Sequence, residues 1–118
     1  MKYLCLIYEN ETAFEQMPQP EIEKLMGEYF AFTDDIRRNG QYIGGNALQP
    51  TRTVTTVRVR NGKLSTTDGP YVETKEQLGG YYLIEARDLN EAIQVASRIP
   101  GARLGGVEVR PVMEFPEE

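Results

Sequence analysis

Asp68, Tyr71, Glu73, Lys75 and Glu76 fall within one short stretch, Thr67 to Gly80, between two segments that read as strands. Three carboxylates, an ammonium and a phenol so close together are the parts of a small acid–base or ligand-binding site. If Asp68 or Glu73 is buried, desolvation raises its pKa toward the range of a useful general acid or base. Lys75 could stabilise an enolate or carboxylate, and Tyr71 could donate a hydrogen bond. A plainer reading stands beside this one. Asp68 caps a turn, Lys75 pairs with a glutamate, and the loop locks a hairpin to a sheet. Asp68-Gly69-Pro70 suits such a turn, because Asp bonds back to nearby N–H groups, Gly allows positive φ and Pro fixes φ. Tyr8, at the end of the first strand, and Arg110, on the last, are further candidates for the wall of a ligand site, with Tyr71 and Glu76.

The remaining chemistry is sparse. The chain has no histidine, which removes the commonest general base near neutral pH and the commonest transition-metal ligand. Cys5 is the single cysteine, and its neighbours Leu4, Leu6 and Ile7 suggest an inert core position in a reducing compartment. Asp34 and Asp35 read as a solvated helix face rather than a metal site. No EF-hand spacing occurs, and neither metal nor cofactor is expected. Arg58 and Arg60 could grip an anion, or could simply face solvent.

The chain has 118 residues, enough for one domain with its own core. Eighteen acidic residues against 13 basic ones give a formal charge of −5, which argues against nucleic acid as a partner. The apolar run Tyr3 to Tyr8 is too short for a signal peptide, and no stretch is long enough to span a membrane. A cytoplasmic protein with no membrane partner is the expectation.

The elements that must position these residues follow from periodicity. Lys2 to Tyr8 reads as a central strand, being apolar on both faces. Glu9 to Gln19 reads as a polar connection. Ile22, Leu25, Met26, Tyr29, Phe32, Thr33 and Ile36 recur at three- and four-residue steps, which predicts a helix over Pro20 to Asn39. Pro20 suits its first turn, and Asn39-Gly40 stops it. Gln41 to Leu48 reads as a weaker strand in which Gly44-Gly45 marks a bend or a pocket wall. Thr53 to Arg60 and Lys63 to Thr67 flank Asn61-Gly62, a strong hairpin signal. Gly80 to Ala86 is another strand. Asp88 caps a second helix whose expected buried stripe is Leu89, Ala92, Ile93, Ala96 and Ile99. Val107 to Met113 is the last strand.

With the hairpin treated as an insertion, two β-α-β halves remain, the ferredoxin-like pattern of an α+β fold. Both helices should lie on one face of an antiparallel sheet. The other face, apolar in its central strands, then needs a cover, and a second copy in a two-fold homodimer supplies it.

The blocks Asp68-Gly69-Pro70-Tyr71, Glu73-Thr74-Lys75-Glu76 and Gly79-Gly80 resemble the YCII-related proteins of the DGPF type. The likeness extends to Lys2-Tyr3-Leu4, Leu48-Gln49-Pro50 and Glu108-Val109-Arg110-Pro111, so it covers nearly all of residues 1–118 as a single domain. Tyr71 stands where phenylalanine is usual. The resemblance implies a dimeric α/β barrel in a bacterial cytoplasm, with a pocket between sheet and helices and a link to alternative sigma factors. A His–Asp pair proposed for some members of the wider superfamily has no counterpart here. Three functions follow: a small-molecule-binding or regulatory homodimer; a cofactor-free lyase, isomerase or monooxygenase-like enzyme using Asp68, Glu73 and Lys75; and a protein partner linked to a sigma factor.

Overall fold

A computed structural model describes residues 1–116. Strand β1 (Lys2–Glu9) lies inside a four-stranded antiparallel sheet because its side chains are apolar on both faces. β5 (Gln77–Glu85) and β6 (Gly106–Pro111) flank it, and β2 (Tyr42–Ala47) pairs with the far side of β5. The sheet order β2-β5-β1-β6 is the ferredoxin-like arrangement, with a hairpin inserted between its second and third strands.

Three helices accompany the sheet. α2 (Gln19–Arg38) and α3 (Leu89–Ser97) are the two expected, and α1 (Glu11–Glu15) falls inside the expected polar connection. The short α1 exists because Asn10 caps it, its side-chain oxygen accepting from the Ala13 N–H at 3.0 Å. Asp88 caps α3 in the same way through the Glu91 N–H.

Alternation along β1 sends Tyr3, Cys5 and Ile7 toward the helices. There they meet Phe32 and Ile36 of α2, Ala92, Val95 and Ala96 of α3, and Ile84 and Ile99. Burial pushes the Cys5 thiol up to about 11, so it is the inert core residue its neighbours suggest. The expected stripe of α3 needs correction. Leu89 and Ile93 are exposed, and Val95 is buried beside the small Ala92 and Ala96, which let the helix sit close to the sheet.

Leu4, Leu6 and Tyr8 point the other way, opposite Leu83, Tyr81 and Leu78 of β5. Both long helices pack on the first face, so this second face carries an apolar strip along the two central strands. Asn46 on β2 and Glu108 and Arg110 on β6 rim it.

β3 (Thr55–Arg60) and β4 (Lys63–Asp68) form a separate two-stranded sheet. Asn61 and Gly62 both take positive φ, 53° and 74°, as a two-residue hairpin turn of matching twist requires. The hairpin projects as an arm. The radius of gyration is 16.4 Å, where a compact chain of this length has about 13.5 Å.

Candidate functional site

A cavity of about 440 Å³ lies between α2 and the β2–β5 side of the sheet. Its size is that of a small-molecule pocket. Ile7, Leu25, Gly80 and Tyr82 form its floor, and Phe14 of α1 lines it as well. One flank of α2 supplies Met26, Phe30, Thr33, Asp34 and Arg37 at helical spacing. Phe30 is 66% exposed and Met26 is also open to solvent, although the sequence pattern places Met26 in the core stripe.

The opposite wall depends on β2. Its ladder to β5 shifts register between Tyr42 and Gly44, and Gly45 then lies against β5. A Cβ on Gly45 would stand 2.8 Å from the Tyr81 carbonyl oxygen and 3.0 Å from the Tyr82 ring. The Gly44-Gly45 pair is therefore an irregularity in the strand, and Gly45 of the pair is part of the cavity wall.

Polar groups inside the cavity are few and connected. Thr33 Oγ1 donates to the Tyr29 carbonyl at 2.9 Å and lies 2.7 Å from the Tyr82 hydroxyl. Its single proton is thus committed, so Tyr82 is the donor of the second bond. The Tyr82 ring is held edge-on by Phe32 and Tyr42, and burial pushes its hydroxyl above the ordinary phenol range. Tyr29 is pushed up to about 12, chiefly by burial and next by the Glu9 carboxylate. Glu9 itself, packed over Gly79, is raised by desolvation and then by Glu11.

Arg37 is the cation of the cavity lining. Its guanidinium stacks 4.6 Å from the centre of the Tyr42 ring. Among the described residues no carboxylate lies within ion-pair distance of it. Asp35, by contrast, is held by Arg98 and Arg38 as part of the solvated helix face. Among the described residues no group of three or more His, Cys, Asp or Glu is placed to hold a metal.

The loop after β4 lies elsewhere. Asp68, Tyr71, Glu73, Lys75 and Glu76 are all exposed, and none lines the cavity, so the hollow is not the polar pocket expected around this loop. The hairpin carries the start of the loop outward. The Gly69 N–H donates to the Val54 carbonyl at 2.7 Å, and Thr56 Oγ1 donates to the Gly69 carbonyl at 2.8 Å. Arg58 stacks on the Tyr71 ring at 4.9 Å. At the other end, the Gln77 side-chain amide donates to the Thr74 carbonyl at 2.7 Å, and its oxygen accepts from the Glu11 N–H at 3.1 Å. The first three contacts fold the loop against the arm, and the last two join its end to β5 and α1. Among the described residues no ion pair joins Lys75 to Glu73 or Glu76.

Tyr8 and Arg110 stand on the sheet face away from the cavity. Arg110 pairs there with Glu108 at 2.9 Å. The residues that do line the hollow carry one signal in the sequence: Met26, Phe30, Thr33 and Arg37 recur at four, three and four residues along α2, beside the core stripe. Arg37 reads there as a complement to the helix dipole, which hides its place on the cavity wall.

The YCII-related domain matches this chain over residues 1–116. The chain belongs to the YCII-related family. It is 34% identical over 114 residues to an uncharacterised protein of Rhizobium meliloti (strain 1021), covering 95% of this chain and 92% of that one. The family match spans the four-stranded sheet, the cavity and the inserted arm together. Among the described residues no helix is long and apolar enough to cross a membrane.

Proposed function

We propose that this YCII-related chain is a small-molecule-binding protein whose ligand enters the cavity between α2 and the β2–β5 wall. The ligand has a flat apolar body and one anionic end. The observation that carries this reading is Arg37, the cation of a hollow lined mainly by aromatic and aliphatic side chains, which makes no ion pair with Asp34 of the same lining or with any other carboxylate among the described residues. Stacking on Tyr42 holds the guanidinium fork ready for a carboxylate, the geometry it matches best. Tyr29, Phe30, Tyr42 and Tyr82 supply ring surface for the body of the ligand.

The working form in this reading is a homodimer. Support comes from Leu4, Leu6, Tyr8, Leu78, Tyr81 and Leu83, which share the sheet face that neither long helix covers. Sedimentation should then report twice the chain mass, and Leu6→Glu should shift the population to monomer.

Thermal-shift measurements with benzoate, naphthoate and their neutral alcohols test the ligand class. The acids should raise Tm in a saturable way and the alcohols should not. Equal stabilisation by acid and alcohol, or none by either, would remove Arg37 from the reading.

A further inference from the structure

We infer that the cavity takes a free aromatic amino acid, with Arg37 receiving its carboxylate and Asp34 its ammonium. Both charged side chains line the hollow from the last turns of α2. They stand three residues apart, so they are neighbours on one flank of the helix. Phe30 lies one turn before Asp34 on the same flank, and its exposed ring continues the apolar lining up to the charged end.

An aspartate and an arginine at this spacing ordinarily pair with each other. Here they do not. Arg37 is drawn instead onto the Tyr42 ring of β2, 4.6 Å from its centre. Asp34 is left without an ion pair among the described residues. Its neighbour Asp35 shows the contrast. A helical step of about 100° takes that carboxylate to the face where Arg38 and Arg98 hold it. One carboxylate is spent, and the other is presented to the hollow.

Charge then selects the ligand. A simple aromatic acid satisfies Arg37 but brings its own carboxylate close to that of Asp34, which offsets part of the gain. A simple aromatic amine has the converse fault. A zwitterion with both groups on one carbon matches both side chains at once and adds no net charge to the site. Its ring goes to Tyr29, Tyr42 and Tyr82 of the lining. The inference rests on the cavity reading above and assigns the second charged contact, which that reading leaves open.

Calorimetric titration of the unaltered chain with L-tryptophan, indole-3-propionate and tryptamine tests it. The three share the indole ring, and the second and third lack the ammonium and the carboxylate respectively. Tryptophan should bind about tenfold more tightly than either, the worth of one charge-assisted contact on a partly open site. Asp34→Asn changes an exposed residue, and circular dichroism checks that the fold is kept. It should lose about tenfold for tryptophan and nothing for indole-3-propionate, whereas Arg37→Gln should weaken both. Equal affinity of the unaltered chain for tryptophan and indole-3-propionate overturns the amino-acid assignment and leaves the aromatic-acid cavity standing. So does a tryptophan affinity that Asp34→Asn leaves unchanged, or an equal loss for both ligands in that variant. No binding of tryptophan overturns the assignment whatever naphthoate does. If naphthoate is inert as well, the cavity reading falls with it.

Discussion

The Tyr82 hydroxyl donates to Thr33 Oγ1 at 2.7 Å, because the Thr33 proton is already given to the Tyr29 carbonyl at 2.9 Å. A hydroxyl that has spent its proton still has lone pairs to offer. The cavity therefore presents a donor fork at Arg37 and an acceptor at Tyr82, on the same hollow.

Tyr82→Phe keeps the ring and removes the acceptor. The expected stability cost is about 1 kcal/mol, the usual worth of one such bond. Binding should discriminate more sharply. Hydroxybenzoate should lose several-fold in affinity, while benzoate should be held almost as before. Equal losses for both would mean that Tyr82 acts through packing and not through its oxygen.

Gly45→Ala places a methyl against the Tyr81 carbonyl oxygen and the Tyr82 ring. The carbonyl belongs to the sheet and cannot rotate away. Overpacking of this kind costs about 1–3 kcal/mol. In a chain of this size each kcal/mol lowers Tm by roughly 4 °C. Gly44→Ala meets no atom within 4 Å and serves as the control. Thermal melts in which the two variants behave alike would contradict the close contact.

Glu9 gives a pH dependence with a definite sign. Its folded-state pKa is raised by burial and by Glu11, so the folded chain holds its proton more tightly than the unfolded chain. The associated stability is present below the unfolded value and is lost as pH rises through the folded one. Glu9→Gln removes this dependence. The variant should melt higher than the unaltered chain at neutral pH, and the difference should shrink toward pH 4. A gap that widens on acidification would contradict the assigned environment.

Much of the fold is legible in the sequence. Asn61-Gly62 fixes a turn by backbone chemistry alone, and the α2 stripe fixes which way Phe32 and Ile36 point. Lys2–Glu9 reads as central because no polar residue interrupts it before its end. The cavity is less legible, since it is made by elements far apart in the chain. Tyr82, Gly45 and Arg37 look like a strand residue, a strand breaker and a helix-end cation until β2 is laid beside β5. The place of the loop from Asp68 to Glu76 is illegible for a related reason. Density of charge marks a surface as readily as a site, and only the direction of the arm shows that these side chains stand clear of the hollow.

Calorimetric titration of naphthoate into the unaltered chain, Arg37→Gln and Asp68→Asn tests the cavity reading most directly. Arg37→Gln should lose at least tenfold in affinity, and Asp68→Asn should stay within twofold of the unaltered chain. Undiminished binding by Arg37→Gln, or a large loss in Asp68→Asn, would move the site from the α2 cavity to the loop.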